Sequence, residues 1–223
     1  MTAMKKRQNI FRGVIYTLGM LSLALGIILN TKTNLGVAPI ASSSYAISQI
    51  TGLNFSNIIL CVYTLFAFAE YILMGKNFRP YDLLQIPVSI VFTRCMNFFS
   101  NNINLQPEMF VSKIALALVA CAFTAVGLSL SVSMRLVPNT GDGLVQAIAD
   151  RTGKNLGLIK NIFDGCCIGA AVIIGLVFAG KLIGIGLGTV IALILTGRFV
   201  HIFNKLFLKQ ILKLAFGEEA AKK

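Results

Sequence analysis

Charge is what this chain has least of. Only 13% of its 223 residues are Asp, Glu, Lys or Arg, against roughly a quarter in an ordinary soluble domain. Hydrophobic residues make up 56%, with a mean hydropathy of +0.80. That balance leaves little chain for a soluble domain. Acidic residues are the scarcest charges, eight against twenty Lys and Arg. The resulting net charge of +12 invites a nucleic-acid role, but the bases sit at the termini and in short loops. No folded basic surface lies between them to follow a phosphate backbone. Bases flanking apolar runs mark the cytoplasmic ends of membrane spans instead.

Catalytic signatures are also missing. The chain has no His-Glu-x-x-His, no Gly-x-Ser-x-Gly, no Walker motif and no paired-carboxylate pattern. Gly184-x-Gly186-x-Gly188 lies within an apolar run rather than after a strand, so it is no nucleotide loop. An enzyme and a cofactor are therefore not expected. The one histidine, His201, sits beside a basic helix end and reads as interfacial. Five cysteines (Cys61, Cys95, Cys121, Cys166, Cys167) all fall in apolar stretches without metal-ligand spacing. They are expected to be buried free thiols, with no metal site.

What the chain has in abundance is apolar runs long enough to cross a bilayer, which takes about 20 residues. Six recur, near 11–29, 55–74, 81–99, 111–132, 156–179 and 182–203. The first follows Lys5-Lys6-Arg7, as a signal peptide would, but it is long and no small-x-small cleavage site ends it. It reads as an uncleaved span.

Sliding the chain by 101 positions exposes a duplication. Gly26 falls on Gly127, Leu29 on Leu130, Leu35 on Leu136, and Ala46-Ile47 on Ala147-Ile148. Thr51-Gly52-x-Asn54 falls on Thr152-Gly153-x-Asn155, and after a four-residue insertion Gly75-Lys76 falls on Gly180-Lys181. Each half holds three spans and one polar segment of about 15 residues. At 1.5 Å per residue such a segment reaches only about 22 Å, too short to cross. It is expected to be re-entrant or buried.

Three crossings per half force the second half to enter from the opposite face, the inverted-repeat arrangement of many secondary transporters. The fold expected is an all-α polytopic membrane bundle of about six transmembrane helices in two inverted three-helix repeats. The first repeat occupies 1–104 and the second 105–204, with a tail at 205–223. Both termini are expected in the cytoplasm. Six internal bases then lie inside (Lys76, Arg79, Arg135, Arg151, Lys154, Lys160) and four outside (Lys32, Arg94, Lys113, Lys181). An eight-span arrangement divides them five to five, and the length of the short segments decides between the two. In the tail, Lys205, Lys209 and Lys213 line one helical face. This suits a helix lying on anionic lipid.

The run Leu35-Gly-Val-Ala-Pro-Ile-Ala-Ser-Ser-Ser-Tyr-Ala-Ile-Ser resembles the YczE/YyaS/YitT family of bacterial membrane proteins. Gly36, Pro39, Ile40 and Ser42 to Ser44 carry the likeness. Val137-Pro-Asn-Thr-Gly-Asp-Gly-Leu144 and Lys160-Asn-x-Phe-Asp164 resemble that family's second half. The resemblance covers nearly the whole chain. It implies a multispan bacterial inner-membrane protein, often described as a permease, without naming a substrate.

Ionisable groups within spans default to function or pairing. Asp164 lies two turns into the fifth span, four residues after Lys160 and on the same face. Lys160 either merely neutralises it or completes a coupled cation or proton site. Asn139, Thr140 and Asp142 open the second short segment, where Asn and Asp cap helices and where ligands meet helix N-termini. Ser42, Ser43 and Ser44 occupy the corresponding region of the first half. Arg94 and Arg198 match under a shift of 104 and could pair an anionic substrate or these carboxylates, although Arg198 is also placed to snorkel. Glu70, near a span end, is expected to reach water. Glycines 180, 184 and 188, and 165 and 169, have the spacing that lets helices approach closely.

The function these features favour is a small transporter working by alternating access on a small molecule or ion, contacting membrane lipid and no nucleic acid. The alternative is a non-transporting membrane factor that regulates or assembles a partner protein. The sequence does not specify an oligomeric state.

Overall fold

The computed structural model describes residues 3–75, 80–154 and 156–217. Lys76, Asn77, Arg79, Asn155 and the end of the tail, 218–223, on which part of the charge, repeat and tail readings fell, lie outside them. All regular structure among the described residues is helical. In chain order the helices are α1 (Ala3–Lys32), α2 (Pro39–Thr51), α3 (Phe55–Met74), α4 (Gln85–Asn102), α5 (Phe110–Ser133), α6 (Thr140–Thr152), α7 (Leu156–Ala179), α8 (Leu187–Phe203) and α9 (Lys209–Phe216). A 3-10 turn, Pro80–Leu84, leads into α4, and a π-turn, Asn204–Leu208, joins α8 to α9. Six segments are long and apolar enough to span a membrane: Arg7–Lys32, Phe55–Met74, Tyr81–Asn102, Phe110–Ser133, Gly157–Ala179 and Leu187–Phe216. Their outward faces expose Leu65, Phe68, Val111, Val177 and Phe178, as lipid-facing surfaces require. The 13-residue helices α2 and α6 are the two short polar segments.

The repeated Thr-Gly pair has a local cause. Gly52 and Gly153 each end a short helix in the left-handed region, at φ 71° and 66°, where a Cβ would be strained. Asn54 then caps α3 by accepting from the backbone N–H groups of Ser56 and Asn57. At the other end of α2, Pro39 sits in the first turn, where its missing N–H costs nothing.

Half of the apolar window of α1 is buried, against 17–39% for the other spans, so α1 is the core element. Its main partner is α5. Gly26 lies against Thr124 and Ala120, and Gly127 against Leu23 and Gly19, so closely that neither glycine has room for a Cβ. Arg12 donates to the carbonyl of Met134 and Tyr16 to that of Val137, at 2.8 and 2.9 Å. Low numbers in α1 therefore meet high numbers in α5, and the two helices run antiparallel. The close helix approach belongs to Gly19, Gly26 and Gly127; of the glycines expected from spacing, only Gly188 in α8 is closely met within a helix, by Leu35 and Gly36. Gly165 and Gly169 have nothing within 4 Å of a virtual Cβ, and Gly180 and Gly184 lie outside any helix. Of the cysteines, Cys121 and Cys167 are buried, while Cys61 and Cys166 are exposed on the bundle's outer surface, and all five are free.

The short helices pack across the halves, α2 on α7 and α6 on α3, whereas α4 flanks α1 and α8 flanks α5 within each half. The sixth span starts later than its hydrophobicity suggests. Residues 180–186 are non-helical, because this stretch pairs by backbone with the segment before α2. Val37 N–H donates to Gly184 and Gly188 N–H to Leu35, at 2.9 and 2.7 Å. Interrupted backbone in an apolar bundle needs such partners. Beyond the π-turn the chain continues into α9, which packs back on α1 with Ala215 buried.

Candidate functional site

Two short helices begin against each other at the centre of the bundle. Gly141 in the first turn of α6 contacts the side chain of Ile40 in the first turn of α2. Around this meeting point the candidate polar residues take different roles. The Ser42 hydroxyl lies 2.6 Å from the Pro39 carbonyl and 3.1 Å from that of Cys167, tying α2 to α7. Ser44 is buried with no hydrogen-bond partner on its hydroxyl, and Ser43 is half-buried. Asn139 stands at the N-cap of α6 without capping it, its side chain engaging Tyr63 of α3 instead. The Thr140 hydroxyl shares a 2.7 Å hydrogen bond with Ser89 of α4.

Lys160 joins the carboxylates. Its ammonium lies 3.4 Å from Asp142 and 3.3 Å from Asp164. One cation thus stands between two anions on two helices, leaving the trio with a net charge of −1. Asp164 is only 8% exposed, so the lysine is what makes its ionisation tolerable. Arg94 and Arg198 are not part of this group. Arg94, midway along α4, hydrogen-bonds Asn57 in the first turn of α3, and Arg198 is exposed on α8.

Two large cavities flank the centre, at opposite ends of α1. The first, about 560 Å3, is lined by Thr31, Asn34, Tyr45, Gln49 and the 181–187 segment. Lys181 is the charged side chain among the residues lining it. The second, about 540 Å3, is lined among others by Arg135, Gln146, Asp150, Asp142 and Lys160. Shifted by 101, Thr31 falls on Val132, Asn34 on Arg135, Tyr45 on Gln146 and Gln49 on Asp150, all lining the second cavity. Counterpart positions therefore line the two spaces.

Glu70 is the residue that sequence reasoning misplaced. It does not reach water: it is 4% exposed and lines the second cavity. Gln85, 1% exposed, donates to one of its oxygens at 3.2 Å. Glu70 lies on the inner face of α3, against α6, where Gly143 has no side chain to displace it. Gly143, the second glycine of α6, was the signal available.

An all-helical bundle with six spans of this length is a multi-pass membrane protein. The chain belongs to a family of unknown function, DUF6198, whose model matches residues 10–205. No curated protein and no solved structure matches it.

Proposed function

We propose that this protein is a small secondary transporter of the bacterial inner membrane, working by alternating access between two inverted halves, with both termini in the cytoplasm. The kinship with YczE/YyaS/YitT proteins belongs to the same reading. The observation that carries it is the pair of cavities on counterpart positions at opposite ends of α1. Between them stand two half-helix starts and an ionic trio. A bundle that opens to one side and then the other needs two such vestibules and a barrier with two arrangements. Antiparallel contact of α1 with α5 supports a two-fold axis in the membrane plane, since repeats related about the membrane normal would run parallel.

The Asp142–Lys160–Asp164 trio is the gate in this reading. Each carboxylate shares one cation, so a bound ligand or proton at either acid changes the other's pairing. Ligand-dependent thermal stabilisation of the purified protein, across a panel of ions and metabolites, tests this by mass action. A stabilising ligand should then be accumulated by proteoliposomes. Asp142→Asn and Asp164→Asn should abolish the stabilisation while leaving insertion and folding intact. Full biological activity of the folded double variant would favour the non-transporting factor, which depends on the outer surface and tail.

A further inference from the structure

One carboxylate on the wall of the second cavity, Glu70, is not completed by any described residue. Oε2 of Glu70 and Oε1 of Gln85 are both buried without a hydrogen-bond donor. Both abut Gly143 of α6, where a Cβ would lie 2.8 Å from the first and 3.0 Å from the second, so α6 supplies no side-chain donor there. Buried acceptors without donors are rare in folded proteins, and a carboxylate oxygen is the costliest kind to leave so. Of the cations lining this cavity, Lys160 already serves Asp142 and Asp164.

We infer that the second cavity binds an amphiphilic organic cation, its ammonium group received by Glu70. This rests on the transport reading for its biological role, though the binding stands by itself. Four carboxylates (Glu70, Asp82, Asp142, Asp150) line the space against Lys160 and Arg135, which disfavours an anion. No three acidic, His or Cys side chains among the described residues converge as a metal cage. The site offers a single anionic end. The rest of the wall includes Leu128, Val132, Leu136, Val137 and Val145, so an apolar body is accommodated behind the charge. About 540 Å3 is the size of a small-molecule site, far more than a bare ion needs. A further groove of about 280 Å3, between α3 and the turn before α4, is also lined by Glu70 and Asp82. Its lip carries Phe68, Leu83 and Ile86, which are exposed on the bundle's outer face. Glu70 is thus approached both from the cavity and from the lipid side, where an amphiphilic amine partitions.

The test is calorimetric titration of the purified full-length protein with 2-phenylethylammonium, with 2-phenylethanol as the neutral analogue, and with sodium chloride. The ammonium should bind and the alcohol should not. Along a series of n-alkylammonium chlorides, affinity should rise by up to roughly fourfold per methylene. Glu70→Gln should weaken binding roughly tenfold or more by removing a charge-assisted hydrogen bond. Gly143→Ala is the second variant. It keeps the helix while pushing the end of the flexible Glu70 side chain aside, and it should also weaken binding. Equal binding of the alcohol, a response to sodium alone, or unchanged affinity in both folded variants would overturn the site. Binding through Glu70 without uptake into proteoliposomes would refute transport and leave the site standing. Uptake of another solute, indifferent to Glu70→Gln, would do the reverse.

Discussion

The two cavities share a backbone plan and differ in chemistry. Where the first presents Asn34, Tyr45 and Gln49, the second presents Arg135, Gln146 and Asp150. The same shift sets Ile59 against Lys160 and Tyr63 against Asp164. In the first half these positions form hydrophobic core, Ile59 and Tyr63 being 1% and 2% exposed, with Tyr63 stacked on Phe92. In the second half they form the ion pair. Ser42 and Gly143 are counterparts as well. The serine locks α2 onto a carbonyl of α7, and the glycine opens space for Glu70. At these positions one half supplies packing while the other carries the ion pair. The second cavity still draws Glu70 and Asp82 from the first half.

The sharpest way to break this comparison is topological. In a background without native cysteines, single cysteines at the exposed counterparts Gln49 and Asp150 should be labelled from opposite sides of the membrane. An impermeant thiol reagent outside should reach Gln49→Cys and miss Asp150→Cys; labelling of both from one side defeats the inverted arrangement.

Next in size is the helix contact shared by both halves. Gly26→Ala and Gly127→Ala each force a Cβ into the facing backbone and should destabilise by about 3 kcal/mol in chemical or thermal unfolding. The two losses should be similar, since each glycine meets the other's counterpart neighbours. Gly165→Ala, with open space around it, should be neutral or stabilising by up to about 1 kcal/mol. A large loss there would mean that α7 packs against something else.

Smaller again is the ionic trio. Lys160→Met leaves two carboxylates facing each other and should lower stability by about 2 kcal/mol, less than for a fully buried pair because the lysine is half-buried. Adding Asp164→Asn should restore much of that loss. The mirror change, Ile59→Val, should cost about 1 kcal/mol, as a core trimming does, with no effect on ligand binding. Asp150→Asn, on an exposed carboxylate bonded to Gln146, should fall within about 0.5 kcal/mol of wild type.

Much of the fold is legible in the sequence because bilayer thickness converts directly into run length. The spans from Phe55 and Phe110 match their apolar runs almost to the residue. The Asp164–Lys160 pair follows from helical spacing alone. What spacing does not carry is which face of a span turns inward. Gly165 and Gly169 have the right interval and look outward, whereas Gly19 and Gly26, two turns apart, meet α5. Asp142 joins Lys160 across two helices, so its partner depends on how α6 lies on α7. The start of α8 at Leu187 depends on Gly184 pairing with Val37, a contact between segments far apart in the chain. Glu70 fails for the same reason: depth along a helix says nothing about the neighbour waiting beside it.

The antiparallel embrace of α1 and α5 also governs how the protein is made. The first helix enters the membrane while its principal partner, roughly a hundred residues later, has not yet been synthesised. Until then Gly19 and Gly26 form a shallow trough open to lipid, and Arg12 lacks the Met134 carbonyl that it later grips. The last turn of α9 completes this end, with the ring of Phe216 seated under the Arg12 guanidinium, 4.6 Å to its centre. Assembly therefore finishes where it began, and a nascent chain stopped before α5 presents an orphan first helix. Such a stalled intermediate leaves the trough of α1 and the Arg12 guanidinium without the partners that α5 and the turn after it supply.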